Sequence, residues 1–489
     1  MFDITAPLIP GAVTPTGGPL SLQRQLTERL QKAILTGLLP AGSQLMSSRT
    51  LARELGVSRN TVVNAYEHLA AEGYVIADRQ GTRVARLSSP LCDMLPLQGQ
   101  ISTSVVLASR LKPLLDNPFL PASEELLSPG MPALRDFPLA AWRRSIDRAS
   151  RLHIPHSMGY GAPTGELALR EAIAAHLYIA RGVRCNVSQI VITGGAQQAL
   201  ELCVTLLTDP GDKVWMEEPG YRGAKAVFMA GNLQTVLMKV DEEGMYIPDN
   251  AWHTHTPKLI YTSPAHQYPT GAVLSVSRRL EFISKARSTG AWLIEDDYDG
   301  DFRHFGEPIA SMQGLMEKTP VLYIGSYSKT MFPSLKLGFL VLPTGIMEKA
   351  KNVFHEILRS GQHLQQLALA DFLKTGEFGR HLGRMRRLYR ERQRVLRNEL
   401  LTYFDSDQIL GGKSGMHLTL KLGCETDDRQ IVEIARQHGL GVQALSSFCM
   451  KTDADNGLVI GYGNTPAGEI SSAVRLLVNV IEKVRLKGF

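Results

Sequence analysis

Apolar residues recur along this chain in two rhythms that divide it. Leu22, Leu26, Leu30, Ile34 and Leu35 repeat at helical spacing, and Gly37, Pro40 and Gly42 close the run. Ser47-Ser48 suits the cap of a second helix, Arg49–Leu55, which Gly56 stops. Ser58 suits the cap of a third, which carries Val62, Val63, Tyr66 and Leu69 on one face and ends near Gly73. Tyr74–Ile76 and Arg83–Ala85 predict two short strands around Arg79-Gln80-Gly81-Thr82. Helix, turn, helix and hairpin predict a winged helix-turn-helix over 20–87, behind an arm of 1–19. Residues 88–122 are broken by Pro90, Pro96, Pro113, Pro118 and Pro121, with one apolar run from Val105 to Leu111; they read as a linker with one short helix. From 123 to 489 short apolar runs alternate with helical stretches, which is α/β patterning. The predicted fold class is multi-domain: an α-helical winged helix with a small β wing, then an α/β domain.

Bulk composition narrows the class without naming a function. The 489 residues allow two or three cores, and 44% hydrophobic with 20% charged residues is ordinary for a globular protein. No apolar stretch reaches the length of a membrane span, and Met1–Pro10 lacks a basic start followed by an apolar run, so a cytoplasmic location without membrane contact is expected. The five cysteines (Cys92, Cys185, Cys203, Cys424, Cys449) are scattered without metal-like spacing, so no metal is expected.

Charge placement adds more. Between Ser21 and Ser88 nine Lys/Arg face five Asp/Glu, a +4 block in a chain of net +6, which fits a polyanion partner. The third helix starts with Ser58, Arg59, Asn60 and Thr61, residue types that reach base edges or phosphates from a helix N-terminus in the major groove. Arg79 and Gln80 at the wing tip would meet the adjacent backbone or minor groove. Double-stranded DNA is the expected partner; a small helical domain with a polar face is the bland alternative.

Lys329 carries the chemistry of the second part. It stands in Gly325-Ser326-Tyr327-Ser328-Lys329-Thr330-Met331-Phe332-Pro333-Ser334-Leu335-Lys336-Leu337-Gly338, behind the apolar run Val321 to Ile324. That places it at the carboxyl end of a buried strand, where open α/β sheets bind ligands. Such an amine suits an aldehyde cofactor with a phosphate: the nitrogen forms a Schiff base, and hydroxyls and amides hold the anion. Four more predicted strands lead into candidate pocket residues. Gln189 to Ile192 enters Thr193-Gly194-Gly195-Ala196-Gln197, a glycine turn opening a helix whose amides and dipole favour phosphate. Val214 to Met216 enters Glu217-Glu218-Pro219-Gly220-Tyr221, with an aromatic ring at the rim. Leu259 to Tyr261 enters Ser263-Pro264-Ala265-His266-Gln267-Tyr268-Pro269-Thr270-Gly271, and Ala291 to Ile294 enters Glu295-Asp296-Asp297-Tyr298-Asp299. A carboxylate facing a pyridine nitrogen keeps it protonated; Asp296 is the candidate, and Tyr298 is the candidate donor to the ring's phenolic oxygen. Each motif alone reads as an ordinary turn or solvated loop. Five in order behind five strands point to one pocket.

Two resemblances sharpen this reading. Ser47-Ser48-Arg49-Thr50-Leu51-Ala52-Arg53-Glu54-Leu55-Gly56-Val57-Ser58-Arg59-Asn60-Thr61 closely resembles the winged helix of GntR-type regulators, although Met46 stands where that family usually has proline. The resemblance implies DNA contacts at Arg49, Arg59, Asn60, Thr61 and Gly81, with Ser48 beside them. The stretch from Pro129 to Gly338, with Gly159-Tyr160-Gly161-Ala162-Pro163-Thr164-Gly165, resembles a fold-type-I, pyridoxal-phosphate-dependent aminotransferase. It is similar above all to the aminotransferase-like half of the MocR regulators, a GntR subfamily. That likeness implies a large cofactor subdomain over about 155–345 and a small one over about 346–489. By position, Lys329 would attach pyridoxal 5'-phosphate, Asp296 would face its ring nitrogen, Tyr298 its phenolic oxygen, and Tyr221 would stack on the ring. Ala196, Gln197, Ser326 and Ser328 would hold the phosphate, and Tyr160 would cross to the neighbouring subunit's phosphate.

Three departures bear on function. Lys336 replaces the family's phosphate arginine, keeping charge but losing the bidentate fork, and Tyr268 replaces the asparagine before Pro-Thr-Gly. Val459 stands where aminotransferases carry the arginine for the substrate α-carboxylate; Arg222 and Lys225 are alternatives, read as surface cations. The arginine-rich stretch Arg380 to Arg397 reads as an exposed helix. The expected function is a transcriptional regulator in which the cofactor at Lys329 senses an amine, an amino acid or its own abundance. The expected assembly is a homodimer with swapped domains. The alternative is a working aminotransferase with an accessory nucleic-acid module, and Val459 argues against it.

Overall fold

In the computed structural model Ser47 and Ser58, read as caps, do hold helix starts, because each side chain accepts an amide that the first turn leaves unpaired; Ser21, which the sequence reading did not single out, does the same. Ser21 caps α1 (Leu22–Leu35), Ser47 caps α2 (Ser48–Leu55) and Ser58 caps α3 (Arg59–Ala71). Gly56 closes α2 in the left-handed conformation that side chains disfavour. Leu26, Leu30, Leu51, Leu55, Val62 and Leu69 bury the shared faces of the three helices. The wing pairs β1 (Val75–Asp78) with β2 (Gly81–Val84) in antiparallel register, Val75 opposite Val84. The structure describes residues 6–10, 20–79, 81–87, 107–115, 124–152, 158–254, 256–306, 309–358, 361–423, 425–450 and 456–487. The chain divides into two compact units, 1–106 and 107–489. In the linker, a turn at Ser109–Leu111 and a short helix at Lys112–Leu115 are the described elements.

The second unit is built on an eight-stranded mixed sheet. Its strands are β3 (Ile190–Thr193), β4 (Lys213–Glu218), β5 (Gln234–Asp241), β6 (Gly244–Met245), β7 (Leu259–Thr262), β8 (Trp292–Asp297), β9 (Val321–Ser326) and β10 (Gly338–Val341). Their order is β3-β10-β9-β8-β7-β4-β5-β6. All five predicted pocket strands are present, and β3 and β7 are buried at every position. That is why they read as unbroken apolar runs. Strands β4, β7, β8 and β9 run parallel to one another, so their carboxyl ends, and the loops that follow, open on one edge. A four-stranded antiparallel sheet of β11 (Ile409–Gly411), β12 (His417–Lys421), β13 (Gln443–Ala444) and β14 (Gly457–Gly461) forms a smaller layer ordered β11-β12-β14-β13.

Close packing fixes the pocket floor. A Cβ added to Gly338 would fall 2.8 Å from Gly195 Cα and 2.9 Å from Gly325 O, backbone atoms that cannot swing away. Gly338→Ala is therefore expected to destabilise the protein by about 1–3 kcal/mol, read as a lower denaturant midpoint at unchanged slope.

Among the described residues no helix is long and apolar enough to cross a membrane.

Candidate functional site

Strands β8 and β9 lie side by side with Asp296 opposite Ile324. Their ends bring together residues far apart in sequence. Lys329 is half-buried, and its Nζ donates to the Gly130 carbonyl at 2.6 Å. Gly130, at φ +76°, leaves room for the amine, since a Cβ there would stand 3.0 Å from Nζ. Burial pushes the lysine pKa down; Asp299 pulls it up and Lys336 pushes it down further. The net lowering favours the neutral, nucleophilic amine.

Asp296 is 4% exposed. Its Oδ2 accepts from the Tyr261 hydroxyl at 2.7 Å, while Oδ1 is buried with no partner among the described residues. Burial holds this carboxyl up to about 7; Asp297, Glu217 and Asp299 add to the rise and the Tyr261 hydrogen bond opposes it. A buried oxygen left unpaired is costly, and a cationic N–H would satisfy it. Tyr221 lies within electrostatic reach of Asp296, and burial first, then that carboxylate, pushes its hydroxyl up to about 12. Its ring covers Gly223, where a Cβ would collide with it. Tyr268 meets Tyr221 edge-on at 6.4 Å, Tyr298 at 5.9 Å and Phe448 at 5.2 Å, making an aromatic wall.

The opposite end is shaped for an anion. Gly195, at φ +99°, opens the helix Ala196–Leu207, whose first amides lack helical partners. The Gln197 side chain is committed to the Gly223 carbonyl at 3.0 Å, so toward an anion it offers its backbone. Ser326 Oγ donates to Ser328 Oγ at 3.1 Å and accepts from the Ser328 amide at 3.2 Å. Lys336 is exposed, with φ +50°, and a Cβ on Gly194 would stand 3.9 Å from its carbonyl, so turn and lysine share one cradle.

Other readings shift. The Tyr298 hydroxyl lies 3.0 Å from His266 Nδ1, a partner the sequence did not suggest. Tyr160 is 86% exposed. Arg222 and Lys225 are half-buried rather than on the open surface; Arg222 donates to Ser447 O at 3.4 Å, and burial lowers the pKa of both. The reason is the Ser446–Met450 segment, which folds over them: Gly220 N donates to Phe448 O at 3.2 Å, and Met450 N to Glu218 at 2.5 Å. Val459 is fully buried beside Leu445 and Phe448, so that wall is apolar. In the helix Glu377–Leu400 most arginines face outward, yet Arg392 is 5% exposed and bonds Gly463 O and Asp136.

Sequence reasoning missed two groups. Glu217 accepts from Thr262, from both the amide and hydroxyl of Ser263, and from Gln267, and so locks the loop before Tyr268. His266, Asp299 and His417 place potential metal-ligand atoms within 4.8 Å of one another. Hydrogen bonds already engage them: His266 with Asp299, and His417 with Pro269 O at 2.9 Å. His266 and Asp299 stood inside motifs already singled out, but nothing in sequence pairs them.

In the first unit, Ser58, Arg59 and Asn60 are exposed at the start of α3 and Thr61 is half-exposed. Arg49 is exposed on α2, and Arg59 Nε donates to Ser48 Oγ at 3.3 Å, joining the two helices' outer faces. Arg79 and Gly81 are exposed at the wing, with Gly81 at φ +127°; Gln80 lies outside the described residues.

These two units match known families. Residues 22–84 match the family described as bacterial regulatory proteins, gntR family, and residues 130–461 match aminotransferase class I and II. The chain is thus a helix-turn-helix domain joined to an aminotransferase domain. It is 34% identical over 448 residues, 90% of each chain, to the probable rhizopine catabolism regulatory protein MocR of Rhizobium meliloti. It is 32% identical to the pyridoxine biosynthesis transcriptional regulator PdxR of Corynebacterium glutamicum, covering 94% of this chain and 97% of that one. A Pyrococcus horikoshii kynurenine aminotransferase crystallised with PMP shares the fold at TM-score 0.69 and 23% identity, over 81% of this chain and 99% of that one. The chain belongs to the MocR subfamily of GntR-type helix-turn-helix transcriptional regulators.

Proposed function

We propose that the aminotransferase-fold unit holds pyridoxal 5'-phosphate at Lys329 and uses it to sense an amine, an amino acid or the cofactor's own abundance, setting how the winged helix binds DNA. The observation that carries this is Asp296 Oδ1, buried with no partner among the described residues, on the strand beside the one that leads to Lys329, with Asp299 in electrostatic reach of both. The cofactor would supply an aldehyde that primary amines capture reversibly. Asp296 would hold a proton on its ring nitrogen, Tyr221 would cover one ring face, and Tyr298 and Tyr268 would line its phenolic side. The amides of Ala196 and Gln197, the hydroxyls of Ser326 and Ser328, and Lys336 would hold the phosphate. An effector shifts such a system only by binding two states unequally.

On DNA, Arg59, Asn60, Thr61 and Ser58 would read the major groove, with Ser48 and Arg49 at its edge and Arg79, Gln80 and Gly81 on the flanking backbone. Arg59→Ala is expected to weaken operator binding by about 1–3 kcal/mol, measured as an equilibrium titration on labelled duplex; an unchanged isotherm removes Arg59 from the interface. The working form would be a homodimer in the cytoplasm, each winged helix crossing to the other chain and Tyr160 completing its neighbour's phosphate site. The largely exposed Met158, Tyr160, Tyr178 and Ile179 support a covered face there. The apolar wall at Val459 supports sensing over turnover. The test is to incubate the protein with pyridoxal phosphate, amino acids and excess keto-acid acceptor: one equivalent of product at most is expected, and sustained release would make it an aminotransferase.

A further inference from the structure

Two buried side chains beside the pocket have no role in that account. His266 is 1% and Asp299 2% exposed. His266 Nδ1 lies 2.9 Å from Asp299 Oδ2 and 3.2 Å from Oδ1. The Tyr298 hydroxyl, 3.0 Å from the same nitrogen, has no other hydrogen-bond partner among the described residues. His266 Nε2 is buried and unpartnered among them too. A carboxylate only accepts, so the ring hydrogen sits on Nδ1 and Nδ1 donates. The Tyr298 oxygen, reached by that same N–H, acts as acceptor, and its own hydrogen remains uncommitted.

We propose that Asp299 and His266 are positioning residues for Tyr298: they hold the imidazole in its Nδ1–H form and thereby commit the Tyr298 hydroxyl hydrogen to the phenolic oxygen of pyridoxal phosphate held at Lys329. The proposal rests on the cofactor reading above. Without the carboxylate, the ring hydrogen is free to move to Nε2, and Nδ1 becomes the strongest acceptor within reach of Tyr298. The tyrosine then turns its hydrogen to the imidazole and away from the cofactor.

The consequence has a diagnostic sign. Losing a donor to the phenolic oxygen raises the pH at which the yellow, lysine-bound chromophore titrates. Losing the negative charge of Asp299, which faces Lys329, would by itself lower it. Other groups facing this point (Asp296, Asp297, Glu217, Tyr221, Tyr268, His304, Lys336, His417 and Tyr462) stay constant across the variants.

The experiment is a spectrophotometric pH titration of full-length protein loaded with pyridoxal phosphate, with borohydride fixation at Lys329 as loading control. Asp299→Ala is expected to move the midpoint upward by about one pH unit, as Tyr298→Phe does. Asp299→Ala combined with Tyr298→Phe should rise no further than Tyr298→Phe alone. A downward shift in Asp299→Ala, with loading intact, overturns the relay and leaves the cofactor reading standing. Absence of fixation in the wild type overturns the cofactor reading itself. The wild-type protein without cofactor gives a separate check, because nitrogen-15 NMR of labelled histidine distinguishes the tautomers. His266, assigned by its loss in His266→Gln, is expected as Nδ1–H, and an Nε2–H signal contradicts the proposal.

Discussion

If Lys329 attaches the proposed cofactor, replacing it by alanine is expected to abolish both the yellow colour of protein incubated with pyridoxal phosphate and its fixation by borohydride, while DNA binding remains measurable. The effect is all-or-none because, among the described residues, no other amine stands at the end of β9 beside Asp299. Lys336 is exposed beside the Gly194 turn, and half-buried Lys225 lies in electrostatic reach of Glu218 and Cys449. The fold should tolerate the change: the amine makes one described hydrogen bond, to Gly130 O, and burial already disfavours its charge. The winged helix has its own core of Leu26, Leu30, Leu55, Val62 and Leu69, so operator binding can be assayed in the same variant. Retained colour and a borohydride-stable adduct in Lys329→Ala would remove this residue from the site.

Asp296→Asn is expected to strengthen the cofactor-free protein and weaken the loaded one. The Asp296 carboxyl is held up to about 7, burial first. Between its ordinary value of about 4 and that point, the folded protein keeps a proton that the unfolded chain releases. Its contribution to stability is therefore present at low pH, is lost as pH rises toward 7, and is level above it. Asparagine carries no such penalty, so the variant gains on the wild type across that window in denaturant titrations. Comparing the two proteins cancels the opposing contribution of His304 and His381, whose burial lowers their pKa to about 4. With pyridoxal phosphate the order reverses. The proposed cofactor's ring nitrogen would lose its counter-charge in a buried site, worth about 3 kcal/mol, or on the order of a hundredfold in Kd. Equal affinity in the two proteins would place the ring nitrogen elsewhere.

How much of this was readable in advance depends on the range of the interaction. Ser47, Ser58 and Gly56 act on backbone groups within their own turn, so these caps and this stop were legible. Strands such as β3 and β7, buried on both faces, announced themselves as apolar runs. The runs now seen as β8 and β9 pointed in the same way to Asp296, Tyr298 and Lys329 as candidates. Strand order was not legible: β10 slips between β3 and β9 and antiparallel to both, a pairing set by tertiary packing. The wing strands also run past their apolar cores, to Asp78 and from Gly81, because the hairpin pairs polar residues that no hydrophobic pattern marks. Arg222 and Lys225 read as surface cations because the segment that buries them comes more than two hundred residues later. The His266–Asp299 pair and the ring of donors around Glu217 escaped for the same reason. Each joins loops from different strands, and no spacing rule connects them.

The central claim is that the state of one pocket governs a DNA grip made by another unit of the chain. Its most direct test is the affinity of full-length protein for an operator duplex selected by the protein from a random pool. Three forms are compared: cofactor-free, loaded with pyridoxal phosphate, and loaded then titrated with a panel of primary amines. A shift of several-fold or more between at least two forms is predicted, and it should vanish in Lys329→Ala. Superimposable isotherms for all forms, with borohydride proving Lys329 loaded, would contradict the account.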